Sequence, residues 1–242
     1  MKVLYKILVI IFLVTTVLVY SGCTRQKPLA SHEPDTFLGS DPFIPGVKSG
    51  KPKPTRVLDS REISQYKGMK LTPSNSLPQN AIKGTQKVDI AKYRLTVDGR
   101  VKIAKGYTYK QITDRSAVTK LVTLKCIEGW TATILWEGVL LKDVISDSQP
   151  ESDAVTVIFH AQDGYTTSLP LATVQSKNLI LAYKTNEVTL PPELGFPFIV
   201  VAEDKYGYKW ARWVTRIELS NDPNYKGYWE QRGFDNVGNE EK

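Results

Sequence analysis

The chain has 242 residues, 41% hydrophobic and 24% charged, the profile of a globular protein with one large or two small domains. Its net charge of +7 suits an anionic partner: nucleic acid, lipid headgroups or an anionic cofactor. Nucleic acid is disfavoured, because the lysines and arginines are scattered rather than clustered among stacking aromatics.

Residues 1–23 have the layout of a lipoprotein-type signal peptide. Lys2 and Lys6 form a positive start, an apolar run covers residues 7–20, and Ser21 and Gly22 precede Cys23. The run is short for a membrane span. Lipidation at Cys23 would place the chain at the outer face of the cytoplasmic membrane or in the periplasm; an uncleaved anchor is the alternative. Residues 24–56 hold six prolines with Gly39, Gly46 and Gly50 and few apolar side chains, which reads as a disordered tether. The folded domain is assigned to residues 57–242, with its first element expected between Val57 and Tyr66.

Within that domain the apolar segments are short. Residues 93–97 alternate and end at Asp98-Gly99, a strand running into a turn. Thr108 is placed to cap a short helix over residues 109–113. Residues 120–127 and 154–159 read as buried strands, as do 179–183, 198–202 and 213–219. Leu140, Leu141, Val144 and Ile145 recur at helical spacing, and a further helix follows Pro170 over residues 171–175. Repeats, heptads and regular β-α-β alternation are all missing, so the expected class is α+β, with mixed β-sheets and short helices.

The chemistry narrows by exclusion. The two histidines, His32 and His160, form no zinc cluster. A hydrolase triad would have to recruit His160, which reads more simply as a satisfied strand-end side chain. Neither a dinucleotide fingerprint nor a Walker-type loop is present. Only two cysteines exist, so lipidation of Cys23 would leave Cys126 without an intramolecular partner. Cys126 ends an apolar strand, with Glu128 two residues later and Trp130 beyond. A thiolate aimed from a rigid element suits a soft or high-valent transition metal. Spacing alone favours the other reading, a small buried apolar side chain.

Five segments bear on that choice: Cys126-Ile127-Glu128-Gly129-Trp130 with Trp136-Glu137-Gly138-Val139; Asp163-Gly164-Tyr165; Leu190-Pro191-Pro192 with Gly195-Phe196-Pro197; Lys205-Tyr206-Gly207-Tyr208-Lys209; and Trp213. In this order the chain resembles the sulfite-oxidase superfamily, in particular the branch of the periplasmic protein-methionine-sulfoxide reductase catalytic subunit, from about Tyr66 to Asn236. The resemblance implies a molybdenum–molybdopterin cofactor (a pyranopterin dithiolene) with Cys126 as the metal ligand. It implies cofactor contacts from Asn75 and from the stretch Lys209, Trp210, Ala211 and Arg212, whose two cations and backbone N–H groups would hold the pterin phosphate. Glu128 and Trp130 become the catalytic pocket residues, Glu128 as a proton donor beside the metal.

The chain departs from the family pattern in three places. Sulfite oxidases carry arginines just after the metal-binding Cys, whereas here Ile127, Glu128, Gly129 and Trp130 follow. An acid at that place would repel sulfite and favours a neutral S- or N-oxide. Ile199 stands where the family has an Arg soon after Gly-x-Pro. Residues 1–6 hold lysines rather than a twin-arginine export signal. Oxygen-atom transfer to or from a small neutral oxide is therefore the expected activity. With no haem-attachment motif, electrons would come from a separate haem- or quinol-linked partner. The alternative is a surface lipoprotein that keeps the fold, or binds a pterin-like anion, without turnover.

Overall fold

The computed structural model describes residues 61–78 and 80–240. The expected signal peptide (residues 1–23), the whole of the expected tether (residues 24–56) and residues 57–60 lie outside the described residues. Among those residues no helix is long and apolar enough to cross a membrane.

Twelve strands are described: β1 (Gln65–Tyr66), β2 (Met69–Lys70), β3 (Leu95–Gly99), β4 (Lys105–Tyr107), β5 (Val118–Lys125), β6 (Thr131–Leu140), β7 (Thr156–Ala161), β8 (Thr166–Pro170), β9 (Ile180–Thr185), β10 (Val188–Thr189), β11 (Ile199–Val201) and β12 (Val214–Ser220). Three short helices join them: α1 (Tyr109–Thr113), α2 (Leu141–Ser146) and α3 (Leu171–Ser176). Beside the β1–β2 hairpin stand two five-stranded sheets. One runs β10-β9-β6-β5 with β11 also on β9, and the other runs β4-β3-β12-β7-β8. All pairings are antiparallel except β3 with β12, so the second sheet is mixed. The α+β expectation is borne out.

The apolar residues of both sheets form one core, from Leu95, Val97, Ile134 and Trp136 to Phe198, Ile199, Val200 and Ile217. α1 begins as expected: Thr108 Oγ1 accepts the N–H of Gln111, and the Gln111 side chain accepts the N–H of Thr108. α2 buries Leu141, Val144 and Ile145 but starts one residue later than expected, because Leu140 ends β6; α3 buries Leu171 and Val174 and runs one residue past its expected end.

The main element the sequence pattern does not reveal is β6, ten residues in the middle of the first sheet. Its neighbours β5 and β9 cover its edges, and it is buried at Ala132, Ile134, Leu135, Trp136, Gly138 and Val139, which breaks the alternation. A bulge interrupts its pairing with β9 between Glu137 and Gly138. Gly138 is required there, since a Cβ would lie 2.2 Å from the Leu181 carbonyl oxygen. The strand expected over 120–127 stops at Lys125, which leaves Cys126 and Ile127 in the turn that follows.

Candidate active site around Cys126

β5 and β6 form a hairpin in which Lys125 pairs with Thr131. The loop between them is closed by Cys126 N–H to the Trp130 carbonyl (2.9 Å) and Gly129 N–H to the Cys126 carbonyl (3.0 Å). Gly129 takes a φ of +89°, a left-handed value that glycine adopts without strain. Cys126 is thus fixed at the base of a tight turn, at the end of two long paired strands. Its thiol is free of any disulfide and buried, at 8% exposure.

Burial pushes the Cys126 thiol pKa up. The backbone N–H groups of Glu128 and Ile127 pull it the other way, as does the Arg212 guanidinium, while the charge of Glu128 adds to the rise. Glu128 is exposed on the turn and accepts the indole N–H of Trp130 at 3.2 Å. Trp130 packs against the core edge with its other face. The three residues expected to form the catalytic centre therefore sit within one turn.

Arg212 comes to the same place from the segment before β12. It donates to the Glu193 carbonyl (3.3 Å), and its charge is felt by Cys126, Tyr165 and Asp163. Burial lowers the Arg212 pKa, and these neighbours partly offset that. Asp163 is buried and accepts the N–H of Tyr165 at 3.0 Å across the β7–β8 turn. Tyr165 donates its hydroxyl to the Tyr208 carbonyl. Tyr165 and Asp163 had a signal in the sequence, the Asp163-Gly164-Tyr165 motif, but nothing in it shows that the fold turns them toward Arg212.

The other three members of the expected phosphate-binding stretch have buried side chains, those of Lys209 and Trp210 with partners inside the chain. Lys209 is wholly buried and its ammonium is bound to Glu230 (2.6 Å) and the Asn236 carbonyl (2.9 Å). It is neither a solvated edge residue nor an available cation. Trp210 is core: it packs on Trp136 with ring centroids 5.6 Å apart and donates to the Lys205 carbonyl. Ala211 is fully buried, and its carbonyl receives the Val200 N–H. The backbone N–H groups of Lys209 and Trp210 bond back to Tyr206 and Gly207 within a 3-10 turn. Of the two cations expected in the cradle, Arg212 is the one whose charge acts on Cys126.

Asn75 lies on a 3-10 turn, Ser74–Ser76, which packs against another at Pro192–Leu194. The second turn supplies the Glu193 carbonyl that Arg212 binds. Asn75 is thus on the segment next to the Arg212 anchor. Ile199 is fully buried in β11, paired with Ala182, so this position belongs to the core. His160 donates to or accepts from its neighbours on the second sheet, 2.8 Å from Glu218 and 3.2 Å from Arg216, well integrated and separate from the cysteine turn.

The donor set fits an anionic, sulfur-bearing metal cofactor. Among the described residues no group of three His, Cys, Asp or Glu side chains is placed to hold a metal by itself. A metal at Cys126 would draw its remaining ligands from a non-protein group, which is what a dithiolene supplies. Backbone N–H groups at the sulfur and a guanidinium whose charge acts on it suit the negative charge of such a group.

Fold and site together define a molybdopterin-binding oxidoreductase, and comparison with known proteins agrees. Residues 82–229 match the oxidoreductase molybdopterin binding domain, and the chain belongs to this family, that of sulfite oxidase. It is 31% identical over 147 residues to the uncharacterized oxidoreductase YuiH of Bacillus subtilis, covering 60% of this chain and 74% of that protein. It is 31% identical over 165 residues to the putative protein-methionine-sulfoxide reductase subunit YedZ1 of Azospira oryzae, covering 66% of this chain and 62% of that one. The crystal structure of the sulfane dehydrogenase SoxCD from Paracoccus pantotrophus shares the fold, with a TM-score of 0.60 at 18% identity over 63% of this chain and 44% of that one. The cofactor implied by the family is molybdopterin.

Proposed function

We propose that this chain transfers an oxygen atom to or from a small neutral S- or N-oxide, with Cys126 as the protein's ligand to molybdenum. The observation that carries the substrate assignment is the turn itself. Glu128 is the charged side chain on it, and no arginine occurs between Cys126 and Thr131. A carboxylate about 5 Å from an anionic substrate costs roughly 1 to 3 kcal/mol, depending on how far water screens the pair. That is roughly five- to a hundredfold in affinity.

When bound, the cofactor supplies the two-electron redox chemistry. The residues do the rest. Cys126 presents its sulfur from a rigid hairpin end, and the N–H groups of Ile127 and Glu128 stabilise the thiolate. Arg212 would offset negative charge at that sulfur. Glu128, held by the Trp130 indole, would pass protons between solvent and the site, two of them being needed with the two electrons from the cofactor when an oxide oxygen is released as water.

Arg212 also supports a second reading, since a guanidinium near the thiol would suit an anionic substrate such as sulfite. Asp163 beside the same guanidinium weighs against it. The test compares sulfite oxidation with reduction of dimethyl sulfoxide, methionine sulfoxide and trimethylamine N-oxide, using artificial electron carriers. Reduction of the neutral oxides with negligible sulfite oxidation is expected. Efficient sulfite oxidation with none of the oxides reduced would favour the second reading.

Electrons are proposed to arrive from a separate haem- or quinol-linked partner; likeness to a protein described as a subunit of a reductase supports a separate partner chain, without identifying it. Export and lipid attachment at Cys23 are proposed on the sequence of residues 1–23.

A further inference from the structure

Ile127, the residue after Cys126, is 46% exposed, an unusual setting for an isoleucine beside a reaction centre. It lines an open groove of about 450 Å³ together with Tyr206, Tyr208, Phe234, Arg232 and Asp235. Gly207, between the two tyrosines, approaches the cysteine turn closely: a Cβ there would be 3.9 Å from the Cys126 Cα. The groove thus adjoins the cysteine turn through Ile127.

Its walls are aromatic and braced. The Tyr206 and Tyr208 rings are near parallel, inclined by 16°, and Tyr208 meets Phe234 edge-on with centroids 5.3 Å apart. The Tyr208 hydroxyl donates to the Asp235 carbonyl (2.8 Å), and Phe234 packs on Trp229. Arg232 is held against the Tyr228 ring and the Tyr228 carbonyl, and the Asp235 carboxylate accepts the Gly238 N–H. Both charged groups at the rim therefore have partners within the chain, and a guanidinium and a carboxylate at one rim leave little net charge. Such a surface recognises a flat uncharged group by its faces and edges.

We propose that this groove binds the organic arm of the oxide, and that Tyr206, Tyr208 and Phe234 select oxides bearing an aryl arm over those bearing only methyl groups. The inference rests on the oxide reading above. It assigns these three residues to specificity rather than to the chemistry at Cys126.

The test uses the full-length, cofactor-loaded protein with two substrates, methyl phenyl sulfoxide and dimethyl sulfoxide. Specificity constants are measured for the wild type, Phe234→Ala, Tyr206→Leu and Tyr206→Phe, and folding is checked by circular dichroism. Calorimetry of methyl phenyl sulfoxide binding to the same proteins gives a second readout. The wild type is expected to favour the aryl oxide. The ratio of specificity constants should fall roughly three- to tenfold in Phe234→Ala and Tyr206→Leu, chiefly through KM, with Tyr206→Phe retaining it. The aryl affinity measured by calorimetry should fall in parallel. A wild type that favours dimethyl sulfoxide, or a ratio unmoved in both ring-removing variants, would overturn the proposal. Should the wild type reduce neither oxide, the oxide reading fails, and calorimetry alone decides the groove: weaker aryl binding in Phe234→Ala supports it, and unchanged binding overturns it.

Discussion

Lys209 and Glu230 form an ion pair in which both side chains have no exposed surface. Thr167 and the Asn236 carbonyl complete its contacts, while Glu230 Oε2 is buried without a protein partner. Burial lowers the Lys209 pKa, and the attraction of Glu230 opposes that shift. The pair joins the 3-10 turn ahead of Arg212 to the C-terminal segment, so its loss should disturb the site as well as the fold. Truncating one partner leaves a charge stranded in the interior, which costs about 3 to 5 kcal/mol. We expect Glu230→Leu to lose about that much in urea unfolding. The double variant Lys209→Met with Glu230→Leu should recover most of it, because no unpaired charge is left. A double variant as unstable as the single one would mean that the pair itself contributes the stability. The motif around Lys209 marks this residue in the sequence, but the partner lies 21 positions away, and one-dimensional spacing shows no sign of it.

At the scale of elements, what the sequence makes legible is what local chemistry decides. The capping box of α1 is written in Thr108 and Gln111, and the burial of β7 and β9 in their apolar runs. The end of β5 is displaced by two residues because Gly129 and the Cys126–Trp130 pairing close the turn, a choice made by backbone geometry rather than hydrophobicity. β6 escapes detection because it is buried on both faces over much of its length, and then neither alternation nor helical spacing remains. The ordered motifs single out Cys126 in the sequence, whereas its place in a turn and the electrostatic reach of Arg212 depend on backbone closure and on contacts distant in sequence. Gly195 controls that approach. It ends the 3-10 turn Pro192–Leu194 at a φ of +118°, and a Cβ there would sit 2.9 Å from Arg212 Cβ and 3.1 Å from its Cα. Gly195→Ala should therefore combine backbone strain with displacement of Arg212, costing about 1 to 3 kcal/mol. Thermal unfolding should record the loss, and cofactor retention after gel filtration should fall with it. A variant as stable as wild type and fully loaded would show that the close packing at Arg212 does not matter.

For the whole molecule, two antiparallel-dominated sheets share one core, and the functional turn emerges at the end of the longest hairpin. Such an arrangement holds Cys126 at the end of paired strands while leaving Glu128 and Ile127 exposed to solvent. The N-terminal region bears on where this happens. If Cys23 carries lipid, the mature protein should partition into detergent, and Cys23→Ala should leave the signal uncleaved or release the chain to the soluble fraction. Mass spectrometry finding an intact Met1 on the wild-type protein would refute the lipid attachment.

The place of Cys126 can be tested most directly by X-ray absorption at the molybdenum edge, on the wild type and on Cys126→Ser purified from a host that makes the cofactor. Oxygen matches the metal less well than sulfur, and the change in side-chain volume is small, so the fold should survive. The account predicts molybdenum in the wild type with a sulfur shell that loses one contributor in Cys126→Ser. A wild type without molybdenum, or a sulfur shell identical in the two proteins, would contradict it.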